Sequence, residues 1–120
     1  MNFNEEIYWH DSVIKNIKID RNEPGKKDTI EFEIDWYDKG AGKLLFEDVY
    51  WVEMNLNFGI VAKESIDFAF IDVSGDNLNP FYKRWGGLLN DIKLFCYIIK
   101  TNSTGSEIKI IAKSFSVIYQ

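Results

Sequence analysis

The residues best suited to chemistry stand together near the start of the chain. Tyr8-Trp9-His10-Asp11-Ser12 holds the one histidine of the protein beside a carboxylate and a hydroxyl. An imidazole that titrates near neutrality serves as a general base, and Asp and Ser complete the set used in nucleophilic hydrolysis. That chemistry needs three residues from separate parts of the chain converging on an oxyanion hole. Consecutive strand residues point to opposite faces, so Asp11 is not expected to orient His10. A zinc or iron centre needs three or four His, Cys or carboxylate ligands. This chain offers one His and one Cys, and Cys96 lies in an apolar run. No catalytic residue, metal or cofactor is therefore assigned. His10, Asp11 and Ser12 read as a structural motif. The short polar side chains of Asp11 and Ser12 bond backbone groups at a strand entrance, and Trp9 and His10 cover the end of the core. On that reading, His10→Ala lowers the melting temperature.

Other motifs carry less. Neither Gly40-Ala-Gly42 nor Gly86-Gly87 has the spacing or following lysine of a phosphate-binding loop. Asn102-Ser-Thr104 matches a glycosylation acceptor in a chain whose start shows no route to secretion. Among the aromatic residues, Trp36 and Tyr50 fall on apolar faces and are claimed by the core. Trp51 falls on a polar face beside Glu53 and Asn55, which is the composition of a protein-binding hot spot.

The elements that must position these residues follow a period of two. Val13 to Asp20 alternates, but Val13 and Ile14 break parity, which predicts a bulge near Lys15 or Asn16. Pro24-Gly25 suits a type II corner. In the next strand Ile30, Phe32, Ile34 and Trp36 point one way, and Thr29, Glu31, Glu33 and Asp35 the other. That is a half-buried antiparallel strand with an acidic outer face. After a loop from Asp38 to Gly42, Tyr50, Val52, Met54, Leu56 and Phe58 share one face. Ile66, Phe68 and Phe70 share a face of a further strand. Asn79-Pro80, followed by Phe81, Tyr82 and Trp85, suits a short helix ended by Gly86-Gly87. From Asp91 to Lys100 both faces are apolar, which marks a strand covered on two sides. Thr101 to Ser106 is a hairpin turn, and Glu107 to Tyr119 pairs back. The reading is a single mainly β domain over residues 1–120: an antiparallel sandwich or strongly curved sheet of six to eight strands with at most one short helix.

Composition bounds the function. The chain has 120 residues, 46% hydrophobic and 28% charged, with a net charge of −5. Residues 1–60 carry 13 Asp and Glu against 7 Lys and Arg, while residues 61–120 carry 6 against 7. Phosphate binding needs clustered Lys and Arg, so nucleic acid is not the expected partner. The acidic half fits a basic protein partner. No apolar run reaches membrane-spanning length, and the acidic N-terminus is no secretory signal. With a single cysteine, a reducing, cytoplasmic setting is expected.

The segment Trp9-His10-Asp11-Ser12, continued by Ile14, Ile17, Ile19-Asp20 and the Ile30-x-Phe32-x-Ile34 strand, resembles small bacterial proteins with a His-Asp-Ser or His-Asp-Ala start. These include the immunity protein 50 family. The ending, Asn102 to Ala112, resembles the final hairpin of the same kind of protein. The resemblance implies a cytoplasmic, non-enzymatic β domain that binds and neutralises a cognate toxin. The expected docking surface is Glu31, Glu33, Asp35, Trp51 and Glu53. The rival expectation is a module that binds a small ligand or carbohydrate through aromatics near Trp51 and Trp85. A third is a homodimer formed through an exposed strand edge.

Overall fold

The computed structural model describes residues Met1–Gln120. Six strands, β1 (Val13–Glu23), β2 (Lys27–Trp36), β3 (Gly40–Asn55), β4 (Glu64–Ile71), β5 (Phe95–Thr101) and β6 (Glu107–Tyr119), form one antiparallel sheet, with a single helix α1 (Leu78–Arg84). The sheet curves until it closes as a barrel in the order β1-β2-β3-β6-β5-β4.

The core follows the alternation of β2, whose Ile30, Phe32, Ile34 and Trp36 are all buried, joined by Leu44, Phe46, Tyr97, Ile99, Ile108 and Ile110. Trp36 packs against the backbone at Gly42. A Cβ there would collide with the Ile118 carbonyl and lie 2.7 Å from Trp36 Nε1, so only glycine fits. Gly42, expected in a loop, is therefore a strand residue held by close approach.

A second apolar cluster covers the outer face of β5 and β6. Phe81 of α1 meets Leu94, Cys96, Ile98 and Ile111 there, with Tyr50, Phe70 and Tyr82 against them. The Tyr82 hydroxyl staples the helix down, donating to the Ile92 carbonyl at 2.7 Å and accepting the Leu94 N–H at 3.0 Å. β5 is thus apolar on both sides because the barrel interior lies on one and α1 on the other.

Bulges decide which aromatics point inward. The shift between Ile14 and Asn16 stands where the broken parity predicts it. Gly25 has φ 84° and the Lys26 N–H bonds the Glu23 carbonyl at 2.9 Å, closing the corner at Pro24-Gly25. Two other bulges overturn facing assignments. Asp48 takes a left-handed φ of 52° and the β3 register slips between Val49 and Trp51. Tyr50 consequently packs on the outer cluster, away from Val52 and Met54. Phe58 lies beyond the end of β3 and is exposed. In β4 a slip between Ile66 and Phe68 turns Ala69 inward, Phe68 out to solvent and Phe70 onto the outer cluster.

The N-terminal segment plugs one end of the barrel. Phe3, 1% exposed, has ring centroids of Trp9, Tyr97 and Phe115 within 4.7 to 5.0 Å. Trp9 Nε1 donates to the Phe3 carbonyl at 2.7 Å. Asn4 Oδ1 accepts the Ile71 N–H at 2.8 Å, which covers the edge of β4.

Candidate functional site

The His10-Asp11-Ser12 motif lies at the seam where the barrel closes. β1 and β4 pair directly only through Val13 with Ser65 and Ile14 with Glu64. The residues just before β1 extend that seam. The Asp11 N–H donates to the Ile66 carbonyl at 2.9 Å and the Ile66 N–H to the Ser12 carbonyl at 2.7 Å. Ser12 is fully buried. Its hydroxyl donates to the Tyr8 carbonyl at 2.7 Å and accepts the Tyr37 N–H at 3.0 Å, tying the N-terminal segment to the end of β2. That oxygen is committed to backbone groups and is not available as a nucleophile.

His10 departs from the expectation. Its side chain is 60% exposed and does not cover the core; Trp9 alone does so. Asp11 adopts φ 65°, a left-handed turn rather than strand geometry. Asp11 Oδ2 consequently lies 3.6 Å from His10 Nε2, and Asp67 Oδ1 lies 3.6 Å from Nδ1. Asp11 does therefore reach the imidazole, contrary to the alternation argument, because the chain is not yet a strand there. No three His, Cys, Asp or Glu side chains converge as metal ligands.

The five residues expected to bind a partner separate into two regions. Glu31, Glu33 and Asp35 share the outer face of β2, but neighbouring strands supply lysines between them. Lys18 is directly across from Glu31 and Lys43 from Glu33, and Lys43 Nζ is 3.6 Å from Glu31 Oε1. The acidic face of one strand is thus part of a mixed-charge sheet. Trp51 and Glu53 lie instead on the second half of β3, beside α1. Arg84 lies over the Trp51 ring at 5.4 Å and the Phe81 ring is 6.4 Å away. Glu53 is directly across from Lys109.

A concavity lies beside Trp51. β2 pairs with β3 only as far as Ile30 with Phe46, while β1 and β2 continue together to Glu23 and Lys27. The hairpin and the second half of β3 therefore diverge, leaving a cleft of about 500 Å³. Tyr50, Trp51 and Trp85 line it, with Asp20, Asp28 and Asp48 as its carboxylates. Trp51 and Trp85 are each 46% exposed.

Two of those carboxylates are anchored within the hairpin. Asp28 accepts the Gly25 N–H at 2.9 Å and Arg21 Nε at 3.0 Å, which together hold its carboxyl below the ordinary 3.8. Asp20 accepts the Asn22 N–H at 3.0 Å and lies 3.7 Å from Lys27 Nζ, and is likewise lowered. Asp48, held by the left-handed turn in β3, forms no ion pair and is exposed. Sequence reasoning marked Trp51 and Trp85 but missed Asp20, Asp28, Asp48 and the outward turn of Tyr50. The only trace of the last two is an acidic residue tolerant of left-handed geometry inside a strand.

Compared with family models, curated proteins and solved structures, the chain matches none. No helix is long and apolar enough to cross a membrane.

Proposed function

We propose that this chain is a non-enzymatic binding domain whose cleft beside Trp51 and Trp85 receives a basic segment of a protein partner, a toxin domain being the expected class. The cleft composition carries the proposal. Tryptophan and tyrosine faces attract guanidinium and ammonium groups, and Asp48 adds an unpaired carboxylate at the same place. Arg84 already occupies the Trp51 face, so a partner arginine would replace or stack beside an existing cation. Half-exposed tryptophans in a concavity are also the usual anchors of protein interfaces.

The test is calorimetric titration against an arginine- and lysine-rich peptide and against any toxin domain found to be encoded beside this chain's gene. Trp51→Ala and Trp85→Ala each weaken binding roughly thirtyfold, the effect of about 2 kcal/mol at a hot spot. Reversing Glu31, Glu33 and Asp35 together changes it less than about threefold, as rim charges beside lysines do. Strong loss from the β2 reversal with intact binding in the tryptophan variants would move the site away from the cleft.

A second reading draws on the same rings. Two exposed indoles next to hydrogen-bonding carboxylates also suit the faces and hydroxyls of a sugar. Oligosaccharide binding that quenches the fluorescence of Trp51 and Trp85, without any protein partner, would favour it.

A further inference from the structure

We propose that the free edge of β1 is a self-association strand, pairing antiparallel with β1 of a second copy about a two-fold axis at Ile19. The closure of the barrel is partial. After Val13 and Ile14, β1 has no partner on the side opposite β2, and none of the turn and loop backbone bonds reaches it there. The outward direction of its backbone can be read from one bond. The Ile17 N–H is taken by the side chain of Asn16 at 2.9 Å, so it faces away from β2. In an antiparallel ladder, backbone groups two residues apart point the same way. Ile19 thus offers its N–H and carbonyl to whatever lies beyond the edge. Its side chain is 54% exposed, an unusual position for isoleucine in mid-strand.

Such an edge is a template for another strand, and the charges specify which one. Symmetric pairing keeps each side chain on its own face only when the axis passes through a residue. Centred on Ile19, Lys18 lies opposite Asp20 of the second copy, and the contact occurs twice. Asn16 then faces Asn22 and Ile17 faces Arg21. Centring on Lys18 or on Asp20 would set like charges opposite each other, which destabilises a cross-strand pair. Of these three registers, only the one centred on Ile19 sets opposite charges across from each other. The register slip after Asp20 confines the pairing to about Ile17–Arg21, so the association is weak and concentration-dependent. Ile19 and Asp20 also line one side of the cleft, so self-association is measured on the chain without a cleft partner.

Sedimentation velocity from about ten micromolar to about one millimolar reads it directly. The chain shifts from monomer to dimer across that range. Lys18→Asp weakens dimerisation at least about tenfold, Asp20→Lys does the same, and the double exchange restores it to within about threefold. Ile19→Cys forms a disulfide-linked dimer on oxidation, because residues on the axis lie at bridging distance; Glu33→Cys, on the face of β2, does not. Should Asp20→Lys fail to fold through loss of its Lys27 contact, the Ile19→Cys cross-link alone decides. A monomer at every concentration, a dimer indifferent to Lys18→Asp, or a double exchange without recovery would each overturn the proposal.

Discussion

Ser12→Ala and His10→Ala are expected to differ sharply, although the two residues belong to the same motif. Alanine at 12 removes one oxygen that serves two backbone groups, the Tyr8 carbonyl at 2.7 Å and the Tyr37 N–H at 3.0 Å. A buried polar group left without a partner costs about 1–3 kcal/mol. Both bonds are partly shielded rather than deeply buried, so the sum falls at about 2–3 kcal/mol. For a chain of 120 residues the unfolding entropy is about 0.25 kcal/mol/K, and the melting temperature falls by about 8–12 °C. The histidine has no comparable role. Its ring is 60% exposed, and its bond to the Asp67 carbonyl at 3.1 Å lies in solvent, where water replaces it. His10→Ala should cost less than about 0.5 kcal/mol, against the sequence-based expectation of a clear loss. Urea unfolding followed by the fluorescence of buried Trp9 and Trp36 measures both. Equal costs for the two variants, or a Ser12→Ala within about 0.5 kcal/mol of the parent, would refute the assignment of Ser12 as the tie across the seam.

Three further outcomes follow from the core and the hairpins. Phe3→Ala leaves a void at the barrel end and should cost about 3–5 kcal/mol by denaturant titration; a change below about 1 kcal/mol would mean that the N-terminal segment is not a plug. Cys96 is wholly buried, and burial pushes its thiol up to about 11. It should resist thiol reagents at pH 8 in the folded state and react on unfolding, whereas fast native labelling would contradict its place under α1. Asp72 accepts both the Ser74 hydroxyl and the Asn77 amide, which with the Ser74 N–H lower its carboxyl below 3.8; Asp20 and Asp28 are lowered too. Each depressed group lends stability that is complete above 3.8 and disappears as pH falls through its folded value. Melting temperature should therefore be level down to about pH 4 as far as these groups govern it, then drop. Asp72→Asn should flatten that drop, and an unchanged acid profile would argue against the Asp72 contacts.

Much of the barrel was already legible along the chain. The β2 alternation, the double apolar face of β5, the Pro24-Gly25 corner and the bulge after Ile14 are local properties. Side-chain period, ring constraint and broken parity suffice to read them. The reversed facings of Tyr50, Phe68 and Phe70 were not legible. The bulges at Asp48–Tyr50 and at Asp67 are set by how β3 must register with β6, and β4 with β5. The first leaves only the trace of Asp48, an acidic residue tolerant of left-handed geometry inside a strand; the second leaves none.

By itself, then, the order of residues determined a β domain, its inward residues wherever alternation was unbroken, and the short helix that ends in glycines. Closure into a barrel, the insertion of Phe3, and the lysines that Lys18 and Lys43 lend to the acidic strand belong to the tertiary structure. So does the cleft, because it exists only where the hairpin and the second half of β3 stop pairing. Charge, solvent access and concavity depend on which strands become neighbours, and those contacts join residues far apart in the chain.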